Sequence, residues 1–479
     1  MRLGRVCFTK EKRFVPMSQF FWASKKARME DPSAVGLGQL AFPLLMENLL
    51  RCTVGLVNVT FLSHISDSIV SAISVANQYI MVVQVLAMSI SMGTITCLNQ
   101  AIGMKNGSKV KTLTSIAFFS NLVLGLIAGA FFVLFSGSIL SIMKLEPASL
   151  GYAKTYMQIA GGAIAVQSVE IVLCDLCRSM GRTKTPLMIN LIVNLVNLSC
   201  CYLFIFQPIP ISIDPVIGVA LANVLGRLAG LACAGIVALK SGIRISMKAL
   251  RPFPLEDIRL ALSIGIPGGM NNIAYMLCQL VTTSIISMSG EMMVTTKVYV
   301  SNLVQYIALV GMAFGSASTL MIGYRIGAGK YDEAKTIRRI VTRVALLSNA
   351  FFSILLILFR GPLLRTFTDH PAILEIGMTI ILIDFVVEIG RALNNSLSGA
   401  LQAAGDVRYQ LIVNQSSGWL VSVGGSYVLG ILCGLNLYGV WIAFALDELT
   451  RGLILLRRWR SDHWMLDAEH RRSILAKEN

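Results

Sequence analysis

Long stretches of this chain show neither helical nor alternating polarity. They are apolar on every side for about twenty residues or more, and short polar connections separate them. Twelve such stretches can be drawn, at roughly 36–63, 70–101, 113–137, 148–177, 186–206, 217–239, 257–287, 294–324, 337–359, 373–401, 409–431 and 437–457. A helix needs about 20 residues to cross ~30 Å of hydrocarbon, so these lengths predict membrane-spanning helices. Membrane strands would run ~10 residues with alternating polarity. Asp31 followed by Pro32 supplies a cap and a first-turn proline for the first helix.

Composition removes the competing readings. The 479 residues would suit about three soluble domains, but only 14% are charged, 55% are hydrophobic and the mean hydropathy is +0.70. A soluble chain carries about 25% charged residues. The apolar content is equally incompatible with a disordered chain. Cysteines such as Cys52, Cys174, Cys177 and Cys278 lie in or beside apolar runs and read as small hydrophobes. All four histidines fall in connections or in the tail, so no intramembrane metal site is expected. There is no phosphate-binding GxxxxGK[ST] and no HExxH, which argues against an ATP-driven engine and against an enzyme.

The formal net charge of +16 reflects topology more than a nucleic-acid partner. Most of the 41 Lys and Arg fall in the two tails and in the connections after the even-numbered runs. The opposite connections hold only Lys144, Arg360 and Arg365. The positive-inside rule then predicts a multi-pass protein of the plasma (inner) membrane with both termini cytoplasmic. Residues 1–35 are basic and lack the apolar core of a secretory signal. They read as a disordered tail or as a region upstream of a start at Met17 or Met29; contact with an anionic leaflet is the alternative.

The chain also repeats itself. A shift of 224 residues places Pro43 on Pro267, Met46 on Met270, Asn48 on Asn272, Ile102-Gly103 on Ile326-Gly327, Gly181 on Gly405 and Asn190 on Asn414. A shift of 221 places Gly218-Val219 on Gly439-Val440. Six spans per half leave both halves pointing the same way, a parallel repeat. The expected organisation is a basic tail (1–35), an amino lobe (36–239), a cytoplasmic linker (240–256), a carboxyl lobe (257–458) and a cytoplasmic tail (459–479). A cleft between the lobes is the default substrate site.

Several segments resemble the multidrug and toxic compound extrusion (MATE) family. Gln-Ala-Ile-Gly (100–103) and Tyr-Arg-Ile-Gly-Ala-Gly-Lys-Tyr-Asp-Glu-Ala (324–334) are similar to the turn after the second helix of each lobe. Arg-Ser-Met-Gly-Arg-Thr-Lys-Thr-Pro (178–186) and Leu-Gln-Ala-Ala-Gly-Asp-Val-Arg (401–408) resemble the family's LRxxGD/T signature, and Pro43 its first-helix bend proline. The resemblance implies an all-α fold of twelve membrane helices in two lobes, and an exporter driven by inward Na⁺ or H⁺. It also makes Pro43 and Pro267 hinge candidates. The usual coupling acids are missing: Asn58, Tyr275 and Arg391 occupy the places where members carry carboxylates.

The coupling chemistry must therefore use other residues. A charge at the bilayer centre costs at least ~2.5–3.5 kcal/mol and needs a partner or a role. Glu47 and Arg51 lie four apart on one face, either as a static pair or as a carboxylate that exchanges Arg51 for an ion. Asp384, Glu388 and Arg391 form one stripe with a formal −1 charge, which suits a proton-coupled step or capture of a cation. The alternative is packing against a cation such as Lys297. Glu170 has no partner at helical spacing, and it lies too far around its helix from Asp175 to pair with it. Asp175 can reach Arg178. Asn190, Asn194 and Asn197 stripe one face, as interhelical glue or as Na⁺ ligands. Asp447 and Glu448 read as local partners of Arg451.

These observations predict a secondary antiporter, monomeric and without a cofactor, that exports cationic or amphipathic small molecules in exchange for H⁺ or Na⁺. A lipid-linked saccharide flippase with a cationic cavity from Arg51, Arg227 and Arg391 is a second reading. A non-transporting membrane scaffold is a third.

Overall fold

The apolar runs are helices. A computed structural model describes residues 36–63, 67–141, 147–206 and 213–476, with Arg5–Cys7, Phe14–Pro16 and Phe21. Within the helices the side chains of 51, 53–68, 147–148 and 206 fall outside that description, as do Asp31 and Pro32. Near the amino terminus, strands β1 (Arg5–Cys7) and β2 (Phe14–Pro16) pair antiparallel.

The helices follow in the predicted order. They are α1 (Leu37–Ser63), α2 (Asp67–Gly103), α3 (Gly107–Ser141), α4 (Pro147–Tyr156), α5 (Ile164–Ser179), α6 (Lys184–Phe206) and α7 (Pro215–Lys240). Then come α8 (Leu255–Ser287), α9 (Glu291–Gly327), α10 (Tyr331–Arg365), α11 (Pro371–Ala404), α12 (Val407–Ser417), α13 (Asn436–Arg460) and α14 (His463–Ala476). The fourth predicted span is α4 and α5, joined through a π-turn at Met157–Gly161 and bent by 45°. The eleventh is α12 continued by two π-helical segments, Gly418–Val423 and Ser426–Leu432.

Local rules explain the helix ends. Asp214 caps α7 by accepting from the amides of Val216 (2.8 Å) and Ile217 (3.4 Å), with Pro215 in the first turn. The turns after α2, α5, α9 and α11 each place a residue in the left-handed region: Lys105, Gly181, Gly329 and Gly405. These four are repeat partners at a shift of 224, which is why the glycines of the second pair recur.

Among the described residues, six helices are long and apolar enough to cross a membrane by length and composition alone, or seven if the bent pair is one span. Helices such as α11 and α13 carry charges in their middles, and those charges concentrate the site described below. Large apolar side chains point outward, with Leu134 74% and Leu347 72% exposed. Only an apolar solvent accepts such a surface.

The chain divides into two compact units. The amino unit comprises Met46–Leu98 and Asn106–Gly265; the carboxyl unit comprises Ile266–Lys477 with Met1–Leu45 and Asn99–Lys105. The divisions fall close to Pro43 and Pro267, which lie inside continuous helices α1 and α8. The first turns of α1 therefore pack in the carboxyl unit, where Leu37, Leu40 and Ala41 join the core of Ala317, Leu320 and Leu401. The first turns of α8 pack in the amino unit, where the position of a Cβ on Gly93 lies 2.0 Å from the Ala261 carbonyl oxygen. A buried Lys109–Asp257 ion pair of 3.0 Å ties the same turns of α8 to α3.

Within the carboxyl unit the ends of α2 and α9 cross at backbone contact. A Cβ on Gly327 would lie 1.9 Å from the Gln100 carbonyl oxygen, and one on Gly103 would lie 2.1 Å from that of Tyr324. Gly103 and Gly327 are repeat partners, and so are Gln100 and Tyr324. The contact is thus reciprocal about the repeat's local axis. Gly226 and Gly230 do similar work in the amino unit, forming a small-xxx-small stripe that brings α7 against Val193 of α6.

Candidate functional site

In the amino unit, buried Glu47 of α1 lies 2.5 Å from Arg178 of α5 and accepts a hydrogen bond from Asn190 of α6 at 3.1 Å. Arg178 also pairs with Asp175, as the spacing predicted. Glu47 was expected to pair with Arg51; the structure gives it an interhelical arginine, and the Arg51 side chain, like that of Asn58, lies outside the described residues. Asn197 is buried, and the side chain of half-buried Asn194 enters no hydrogen bond among the described residues.

Glu170 is not partnerless. Arg227 of α7 reaches it at 2.9 Å, across helices rather than along one. Glu170 and Asp175 thus each have their own arginine, consistent with their separation around α5.

The carboxyl unit is more highly charged. Glu388 is fully buried on α11, pairs with Arg391 one turn later, and accepts a 3.1 Å hydrogen bond from Asn349 of α10. Asp384, one turn earlier, accepts from the indole of Trp441 on α13 at 3.0 Å. Arg391 also faces Glu448 at 3.6 Å. Glu448 lies 3.1 Å from Arg451 and accepts from Asn394 at 3.0 Å, and Arg451 lies 2.6 Å from Asp447. Ser417 of α12 donates to Asp447 at 2.6 Å.

The Asp447–Glu448–Arg451 group is therefore not a separate local cluster; it is the second half of one network with the α11 stripe. Four carboxylates (Asp384, Glu388, Asp447, Glu448) share two guanidiniums (Arg391, Arg451). Among the described residues Lys297 forms no ion pair with these carboxylates; its ammonium donates to the hydroxyl of Thr283 of α8. Of the places where the family's acids are missing, Arg391 lies inside this network, while the Tyr275 hydroxyl accepts a 2.8 Å hydrogen bond from Gln279 of its own helix.

The repeat shows what is special here. Glu47 and Asn190 correspond to Asn271 and Asn414, and the latter two are also hydrogen-bonded, at 3.2 Å. Glu170 corresponds to Asn394 at a shift of 224, and Arg227 to Glu448 at 221; these too are in contact. The same two interhelical polar contacts recur with different charge. The positions matching Asp384 and Glu388, by contrast, are Ala160 and Ile164, so the acidic cluster belongs to the carboxyl unit alone.

Residue spacing along the chain did not reveal Asn349, Trp441 or the partnership of Arg227 with Glu170. The available signals were a lone polar residue in an apolar run and, for Arg227, an unmatched charge in a different helix. Among the described residues, no cluster of His, Cys, Asp and Glu could hold a metal ion.

Comparison with known proteins agrees with this architecture. The MatE family profile matches residues 43–203 and 267–428, once per half of the chain. An uncharacterized transporter, YisQ, of Bacillus subtilis is 29% identical over 451 residues, covering 94% of this chain and 99% of its own. A probable multidrug resistance protein NorM of Thermotoga maritima is 26% identical, covering 92% and 94%. Among solved structures, MATE in the bent conformation superposes with a TM-score of 0.83 at 16% identity, covering 95% of this chain and all of the other. A MOP-superfamily transporter of Pyrococcus furiosus, described as having a binding pocket of reverse polarity, gives 0.79 at 16% identity, covering 94% and 97%. With its helices in two repeated sets of six spans and its profile matched in each, the chain belongs to the MatE family of membrane transporters.

Proposed function

We propose that this transporter exports cationic or amphipathic small molecules in exchange for an inward-moving cation, H⁺ in the first instance and Na⁺ as the alternative. The observation that carries this reading is the burial of four carboxylates against two guanidiniums in the carboxyl unit. A formal excess of negative charge in a low-dielectric interior must be met by protons or by a cation. Proton and substrate then compete for the same excess, and that competition is the basis of exchange.

Arg391 is the switch. It touches Glu388 and stands 3.6 Å from Glu448. A proton arriving on Glu388 removes its hold on Arg391, which moves fully onto Glu448. Loss of the proton draws it back. Glu47, Asp175, Asn190 and Arg178 form the smaller polar site of the amino unit, and Pro43 and Pro267 lie where α1 and α8 pass from one unit to the other. The protein resides in the plasma membrane as a monomer with both termini cytoplasmic, the orientation its charge distribution favours.

The flippase reading is not favoured, because Arg227 and Arg391 are each engaged by carboxylates instead of lining a free cationic cavity. The test is ethidium uptake into everted vesicles, into which an exporter pumps, under separately imposed H⁺ and Na⁺ gradients. Uptake driven by the proton gradient and lost in Glu388→Gln supports the proposal. Uptake indifferent to both gradients refutes it.

A further inference from the structure

Beside Glu388 stands an amide whose two ends are used unequally. Asn349 of α10 is fully buried, and its Nδ2 donates to Glu388 twice, to Oε2 at 3.1 Å and to the main-chain oxygen at 3.4 Å. Its Oδ1 is also buried and has no hydrogen-bond partner among the described residues. Asn394, which serves Glu448 in the same way, differs: its Nδ2 donates to the carboxylate at 3.0 Å while its Oδ1 accepts from Ser398 at 3.2 Å. The charges facing Glu388 are those of Arg391 and Asp384 on α11 and of Glu448 on α13; α10 brings the neutral Asn349. At a shift of 224, Gly125 and Ile164 take the places of Asn349 and Glu388, so amide and acid are absent together from the amino unit.

A carboxylate accepts hydrogen bonds and cannot donate, so ionised Glu388 uses Nδ2 and leaves Oδ1 idle. A protonated Glu388 carries an O–H, and Oδ1 is the acceptor it needs once Arg391 moves onto Glu448. The two ends of an amide have nearly the same size, so a half-turn of the side chain exchanges them with little change in packing. The space beside the amide comes from α9, where a Cβ on Gly311 would lie 3.3 Å from Nδ2 and 3.8 Å from Oδ1.

We propose that Asn349 is a positioning residue that follows the proton on Glu388: Nδ2 donates to the carboxylate, and on protonation the amide turns so that Oδ1 accepts from the carboxyl O–H. This rests on the export reading above. It gives Glu388 a hydrogen-bond partner in both states, so that Arg391 can leave without stranding it.

The test follows ethidium uptake into everted vesicles against the pH of the lumen, the side from which the driving proton enters, with the bath pH fixed. Wild-type uptake rises as the lumen is acidified. In Asn349→Leu, Glu388 loses a charge-assisted bond when ionised and a weaker, neutral one when protonated. It then holds its proton more tightly, and the lumenal pH of half-maximal uptake rises by about one unit, a tenfold change in proton concentration. Gly311→Ala keeps both hydrogen bonds and narrows the space for the turn; its half-maximal pH stays at the wild-type value while the maximal rate falls about tenfold. A residue that only packed α10 on α11 would alter stability and leave the pH profile in place. Asn349→Leu with the wild-type pH profile overturns the proposal, and so does Gly311→Ala with the wild-type maximal rate; in both cases loss of coupling in Glu388→Gln leaves the export reading standing. Wild-type uptake that ignores the lumenal pH refutes the export reading itself, and this proposal with it.

Discussion

The Glu170–Arg227 pair gives a quantitative test, because the repeat supplies its own control. Glu170 is 2% exposed and Arg227 28%, at 2.9 Å. Arg227→Glu removes the counter-charge and sets a second carboxylate beside the first. Breaking a buried pair costs about 3–5 kcal/mol; with Arg227 partly exposed, about 3 kcal/mol is expected. The corresponding contact in the carboxyl unit is Asn394 donating to Glu448 at 3.0 Å. Glu170→Asn combined with Arg227→Glu recreates that contact in the amino unit, and it should recover about 2 kcal/mol of the loss, a coupling typical of residues in contact. Unfolding by SDS titration in mixed micelles, followed by circular dichroism, measures all four corners of the cycle. If Arg227→Glu lies within about 0.5 kcal/mol of wild type, the pair does not hold α5 to α7. If the double variant is no better than the sum of its parts, the repeat equivalence is wrong.

Other predictions follow from the same packing. Gly327→Ala places a Cβ against the Gln100 backbone, so α2 and α9 must part by roughly 1.4 Å to reach an ordinary C···O contact. A loss of about 1–3 kcal/mol or more is expected, and Gly103→Ala should behave alike. Gly137→Ala, with no atom nearer than 4.0 Å, should be neutral in the same heat-stability assay of detergent-solubilised protein. Asp257→Asn removes the carboxylate charge facing Lys109, which is 3% exposed, and should cost about 3 kcal/mol; limited proteolysis would then detect release of the start of α8. Trp464 is fully buried, stacks on Trp459 at 4.2 Å and donates to its carbonyl oxygen at 3.0 Å. Trp464→Ala should cost about 3–5 kcal/mol, read as a lower unfolding temperature, while Leu466→Ala, at an exposed position, should change little.

Much of this architecture can be read from residue order because a bilayer imposes a simple rule: spans must be long, apolar and helical. The repeat could be read from Pro43/Pro267 and from Gly181/Gly405 because prolines and left-handed glycines mark fixed points of backbone geometry. The i, i+3 and i, i+4 pairs, Asp175–Arg178, Glu388–Arg391 and Asp447–Arg451, were legible for the same reason: one helix fixes both partners. Partnerships between helices were not. Arg178 with Glu47, Arg227 with Glu170, Trp441 with Asp384 and Arg391 with Glu448 depend on rotation and register, which apolar runs that are uniform all round leave undetermined. The location of the first turns of α1 and α8 was hidden as well, since nothing in a continuous helix announces where its packing partners change.

The claim that matters most is that Glu388 carries the proton whose movement drives export. Reconstituted protein in liposomes loaded with a pH-sensitive dye measures this when an outwardly directed substrate gradient is imposed without a proton gradient. Wild type should move protons inward against substrate, and Glu388→Gln should move none while still binding ethidium. Proton movement of normal size in Glu388→Gln would contradict the account.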